Sequence, residues 1–321
     1  MTSNPLPEIS DSMEPNPPDS AELHSVDGTL KKIAQSWSSR AAVKKPDLDG
    51  DALFNPQLPD FLETLLPFSD HPYYLEAPDY HARILSCGWL AYNEKTIQIE
   101  GKVIMPACLH LIHDEVPGLN AVDCRRLVSQ TLTDEAYHIL MIEEACRITR
   151  QRRDLEGLRL PPFDLIRRME REKARQSESW QRILVQVACA VISEISISDY
   201  LKLLADATAI QPLNSLVTQV HRKDELAHSG IFKKLTKLIY HGLDARGKTF
   251  LLQALAKPLS WFASLELDVW QSVLEQIGFP RAEAMITELK QRAHFDLGLR
   301  DFSGLEQLLP EIDLEMDGCF F

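Results

Sequence analysis

The chain has 321 residues, 45% of them hydrophobic and 25% charged, with 13 Gly and 19 Pro. Such proportions belong to a globular protein and exclude a collagen-like, low-complexity or wholly disordered chain. The formal net charge of −13 argues against a general nucleic-acid or anionic-membrane binder.

Residues 1–30 carry Glu8, Asp11, Glu14, Asp19, Glu22 and Asp27 with no Lys or Arg, and Pro5, Pro7, Pro15, Pro17 and Pro18 with few large apolar residues. This composition reads as a disordered acidic, Pro-rich arm and linker over residues 1–50, followed by one folded domain over 51–321. The arm has neither the basic start and apolar run of a secretory signal nor the Arg-rich character of a transit peptide. The best apolar run, Ile183 to Ile192, is interrupted by Gln186 and falls short of the roughly 18 residues of a membrane span. Six scattered cysteines without a CxxC pair are expected to be reduced thiols, so a cytoplasmic protein is expected.

Beyond Asp60 the chain is a succession of long amphipathic segments. The spacing of apolar residues predicts helices near Ala82–Leu111, Ala121–Arg150, Phe163–Arg175, Ser177–Leu204, Leu213–Tyr240, Gly247–Ala256, Ser260–Gln276 and Arg281–Phe295. Pro106 lies inside the first of these, where it can kink the helix. The expected fold class is all-α, a helical bundle with additional C-terminal helices.

Several carboxylates fall where apolar residues belong. Glu194 sits in the stripe Val187, Ala190, Val191, Ile197 and Leu201; Glu100 has Ile97, Val103 and Ile104 as helical neighbours, and Glu135 has Leu132, Ile139 and Ile142. An unpaired buried carboxylate costs several kcal/mol, on the order of 3–5, so a group of them calls for cations. Glu135-Ala-Tyr-His138 and Glu225-Leu-Ala-His228 are two ExxH motifs, each following a helix with a core-facing Glu. Residues three apart share a helix face, so each ExxH offers an oxygen and a nitrogen to one site. This is the ligand pattern of ferritin-like di-iron and di-manganese bundles. His221, one turn before Glu225, adds a third imidazole, and the HExxH order of zinc peptidases is absent. Four carboxylates with three imidazoles suit iron or manganese better than zinc. His110 and His113 lack a matching carboxylate and are assigned to a helix end or the surface.

The order Glu100, Glu135, His138, Glu194, His221, Glu225, His228 resembles the AurF-like di-iron N-oxygenase family, the p-aminobenzoate N-oxygenases, over roughly Tyr80 to Tyr240. The resemblance implies a ferritin-like domain holding two Fe ions. Glu100 and His138 would bind one iron, Glu194, His221 and His228 the other, with Glu135 and Glu225 bridging. It also implies O2 as co-substrate, activated as a peroxo group across the irons, and oxidation of an amine to hydroxylamine, nitroso or nitro product in secondary-metabolite biosynthesis. The expected partners are an aryl, free amino-acid or carrier-protein-tethered amine, an external reductase and a second copy of the chain in a homodimer. Carried over by spacing, Tyr92, Lys95 and Tyr200 would line the substrate pocket, with Lys95 placed to receive a substrate carboxylate; Lys lacks the bidentate fork of the family's Arg. The residues leave open C–H hydroxylation or desaturation at the same metals, an iron store, a radical-generating subunit, against which Ile142 stands where a Tyr is normal, and a metal-free interaction bundle.

Overall fold

A computed structural model describes residues 20–46, 48–116 and 122–293, and among them there is no strand. The helices are α1 (Ser20–Arg40), α2 (Gly50–Leu53), α3 (Pro72–Leu75), α4 (His81–Ile99), α5 (Met105–Ile112), α6 (Val122–Arg152), α7 (Asp164–Ala174), α8 (Ser179–Ala205), α9 (Pro212–Gly242), α10 (Ala245–Leu255), α11 (Pro258–Phe262), α12 (Leu267–Gln276) and α13 (Ala282–Ala293). The core is a ferritin-like bundle of four long rods: α4 continuing into α5, then α6, α8 and α9. Each rod places an apolar stripe inward, and α7, α10 and α11 cover α8 from outside.

The α4–α5 rod is continuous but not uniform. Residues Glu100–Ile104 form a π-helical turn, and Pro106 follows it. Pro106 has no N–H to return to the preceding turn, which frees carbonyls there. The side-chain amide of Gln186 on α8 donates to the carbonyls of Lys102 at 3.0 Å and Val103 at 2.8 Å. Its own oxygen accepts from Lys173 Nζ at 2.7 Å. The polar residue that interrupts the apolar run of α8 thus secures the irregular turn that presents Glu100.

α8 is long and apolar enough to cross a membrane by composition, yet 78% of its most apolar window is buried inside the protein, as befits the central rod of a bundle. Five cysteines, Cys87, Cys108, Cys124, Cys146 and Cys189, are free and buried, as expected; Cys319 lies outside the described residues.

Two expectations are corrected. The disordered arm does not extend through residue 50, because α1 begins at Ser20 and packs across α6 and α9. Composition was misleading because Leu30, Ile33, Ala34 and Trp37 supply an i, i+3, i+4, i+7 stripe, with Leu30 and Ala34 buried. The arm's first 19 residues lie outside the described residues. The single helix expected over Ser260–Gln276 is two, α11 and α12, separated where Glu266 adopts a left-handed backbone at φ 53°.

Candidate metal centre

The bundle brings all seven predicted ligands together. Glu100 stands on the π turn, Glu135 and His138 on α6, Glu194 on α8, and His221, Glu225 and His228 on α9, and none is more than 1% exposed. They form two groups that could each hold a cation: Glu100, His138, His221 and Glu225, and Glu135, Glu194, Glu225 and His228.

Glu225 belongs to both groups. Its Oε1 lies 3.4 Å from His138 Nδ1, 3.1 Å from His221 Nε2 and 3.4 Å from His228 Nδ1. Glu135 also reaches both sides, with Oε1 2.8 Å from His228 Nδ1 and Oε2 3.8 Å from His138 Nδ1. The assignment of His221 to the second position is corrected: its Nε2 is 3.0 Å from Glu100 Oε1, and its ring lies 4.2 Å from that of His138. One turn of helix carries His221 toward the π turn, whereas His228, two turns further along α9, faces Glu194 at 3.8 Å.

The donor set fits cations. Both carboxylate oxygens of Glu100, Glu135 and Glu194, together with Glu225 Oε2, His138 Nδ1 and His228 Nδ1, are buried without a hydrogen-bond partner. Several of these atoms approach one another to within 4 Å but not in hydrogen-bonding geometry. Buried polar atoms are normally satisfied, so a convergent cluster of orphaned donors and acceptors is suited to holding positive charge.

Electrostatics agree. Burial pushes Glu100 up to about 7, with His221 opposing and the Glu135 charge adding to the rise. Burial and then the charges of Glu225 and Glu135 hold Glu194 well above the usual carboxylate range. Burial also works against Glu225, but His228 and His221 carry it well below that range. In the metal-free chain Glu100 therefore keeps its proton below about pH 7, and a cation must displace it. Divalent-cation affinity is expected to fall by at least about tenfold per pH unit as pH drops below 7, since each displaced proton contributes one such factor. Competition with a chelator across that range checks this; a flat profile would contradict it.

A further layer was missed by the sequence reading. His138 Nε2 lies 3.3 Å from Asp224 Oδ2 and His228 Nε2 lies 3.2 Å from Asp134 Oδ2, so the residue before each ExxH engages the imidazole of the other motif. The signal was the repeated Asp-Glu-x-x-His, whose aspartates recur at the same offset. A carboxylate on the outer nitrogen fixes imidazole orientation and raises ligand basicity. His110 instead pairs with Glu115 at the end of α5, away from the centre.

Tyr92, Lys95 and Tyr200 lie together on the wall of one cavity of about 490 Å³, also bounded by Phe262 and Glu266. The Tyr92 and Tyr200 rings stack at 4.4 Å and 14°. Lys95 is already engaged: its Nζ is 2.9 Å from Glu266 Oε1 and donates to the Phe262 carbonyl at 2.8 Å. Glu266 Oε2 in turn accepts the backbone N–H of Asp164 at the start of α7, at 2.9 Å. This double duty accounts for a non-glycine residue holding a left-handed backbone at a cost of about 1 kcal/mol.

A four-rod bundle whose interior is lined by two cross-braced ExxH motifs, two further glutamates and a third histidine has the donor pattern of the carboxylate–histidine metal proteins. Residues 24–313 match the family described as P-aminobenzoate N-oxygenase AurF, and the chain belongs to that family. It is an amine N-oxygenase. It is 31% identical over 292 residues, 89% of this chain and 87% of the relative, to a 4-aminobenzoate N-oxygenase of Streptomyces thioluteus.

Proposed function

We propose that this enzyme is a cytoplasmic di-iron, O2-dependent N-oxygenase that converts an arylamine to hydroxylamine and onward to nitroso or nitro product in secondary-metabolite biosynthesis. The observation that carries the reading is the convergence of Glu100, Glu135, His138, Glu194, His221, Glu225 and His228 into two overlapping groups of four. Iron is favoured over zinc by this oxygen-rich set. Bound there, a reduced iron pair supplies the electrons for O2 activation. The chain's own residues hold the imidazoles, span both positions with Glu225 and Glu135, and surround them with apolar packing that limits water. An external reductase returns the electrons, and the working form is a homodimer.

The stacked Tyr92 and Tyr200 favour an aryl ring in the cavity beside them, and the relative's 4-aminobenzoate supports an aromatic amine. Lys95 could meet a substrate carboxylate only in competition with Glu266. An arylamine with a neutral or tethered far end is therefore the better fit than a free acid. The test offers the iron-loaded, reduced enzyme 4-aminobenzoate, its methyl ester, free amino acids and carrier-tethered amines under oxygen. N-oxygenated product is expected, with kcat/KM higher for the ester than for the acid. A new C–O or C=C bond with nitrogen untouched would reject N-oxygenation in favour of hydroxylation or desaturation.

A further inference from the structure

The two aspartates behind the imidazoles are themselves held, and what holds them is α1. Trp37 Nε1 donates to Asp134, 2.9 Å from Oδ1 and 3.0 Å from Oδ2. Arg40 donates to Asp224 Oδ1 at 2.8 Å, and the Ala42 backbone N–H, just past the helix, donates to Asp224 Oδ2 at 2.9 Å. The other arm of the Arg40 guanidinium stands 3.9 Å from Asp134 Oδ2, so one cation faces both carboxylates. Lys44 lies over the Trp37 ring at 4.4 Å.

We propose that the last turn of α1 is a clasp on the metal centre, in which Trp37 and Arg40 are positioning residues. Through Asp134 and Asp224 they orient His228 and His138 and so set how firmly the centre keeps its metals. This rests on reading the cluster as a di-iron site. Each aspartate oxygen that faces an imidazole is one end of a carboxylate whose other contacts come from α1 or the turn after it. With those donors in place the carboxylate has one orientation, and so does the imidazole behind it. Without them, two carboxylates buried to 0% exposure would rotate toward whatever donor remained, and each imidazole would follow.

The arrangement differs from ordinary helix packing. α1 is anchored to the bundle by Leu30 and Ala34, one to two turns before the clasp, and by the Gln130 amide donating to the Ala34 carbonyl at 3.2 Å. The fully buried packing of Leu30 and Ala34 thus precedes the polar anchorage along the helix, with Trp37 as the residue that belongs to both, so the buried packing can be loosened without touching either donor. Trp37→Phe keeps an aromatic ring but loses the N–H, Arg40→Gln keeps a polar group but loses charge and reach, and Leu30→Ala loosens packing while leaving both donors.

The experiment loads the full chain and each variant with 57Fe, then follows release of ferrous iron to a chelator, the Mössbauer quadrupole splitting of the reduced holoenzyme, and thermal unfolding of the metal-free protein. Trp37→Phe and Arg40→Gln are each expected to release iron about tenfold faster and to change the splitting, the lower end of the effect of outer-layer substitutions. Arg40→Lys should fall between Arg40→Gln and wild type. Leu30→Ala should lower the melting temperature while releasing iron at the wild-type rate. Wild-type release and splitting in Trp37→Phe and Arg40→Gln would overturn the clasp, as would release rates that follow melting temperature across all variants. Wild-type protein that takes up no iron would instead sink the di-iron reading beneath it.

Discussion

Replacing Glu225 with Gln is expected to empty both metal positions, whereas Glu100→Gln and Glu194→Gln should each deplete chiefly one. Glu225 is shared by both groups of four, and its Oε1 lies within 3.4 Å of all three imidazoles, so its loss weakens both positions at once. Substitutions in the outer layer of metal sites cost about 10–100-fold in affinity, so loss of a shared inner ligand should exceed about 100-fold. Metal content per chain and amine-dependent oxygen consumption should both collapse. The metal-free protein should also lose some stability, because, against burial, His228 and His221 hold the Glu225 carboxylate well below the usual range and the variant forfeits that attraction, so metal content is read well below the unfolding temperature. A Glu225→Gln enzyme that retained both metals would contradict the shared role.

The second large effect concerns stability. Lys95 and Glu266 are 5% and 7% exposed, and Lys95→Ala strands the Glu266 carboxylate in the cavity wall. Breaking a buried pair from one side costs about 3–5 kcal/mol, whereas replacing both members by uncharged groups of similar size is close to neutral. Lys95→Ala should therefore lower the unfolding free energy by about that amount, and Lys95→Met with Glu266→Gln should recover most of it. Chemical denaturation of the three proteins decides the matter. A stable Lys95→Ala protein that loses only substrate affinity would instead show that Lys95 is free to read substrate. Loss of activity in Lys95→Ala alone does not identify a substrate contact, since the same variant disturbs the start of α7 through Glu266 and Asp164.

The convergent cluster was legible in the sequence because helical periodicity makes a buried carboxylate conspicuous: Glu100, Glu135 and Glu194 each interrupt an apolar stripe, and two ExxH motifs repeat the pattern. Which metal position His221 serves was not legible, since it depends on how α9 is rotated against the π turn at Glu100, and periodicity along one helix says nothing of rotation against another. The π turn had only Pro106 as its trace. The aspartates were visible at fixed offsets but carried no apolar context to mark them as inward-facing. The engagement of Lys95 by Glu266 links residues more than 150 positions apart, beyond the reach of local pattern. α1 was hidden for a different reason: an average over the acidic N-terminal stretch masked four well-spaced apolar positions.

The placement of α1 also orders assembly in time. Its bonds to Asp134 and Asp224 span 97 and 184 residues, so α1, which precedes the four rods in the chain, finds its second anchor only after α9 has been made. Contacts of such separation form late, because closing a long loop costs entropy before any contact rewards it. A helix made before the four rods thus completes its hold on the metal centre only once the last of them, α9, exists.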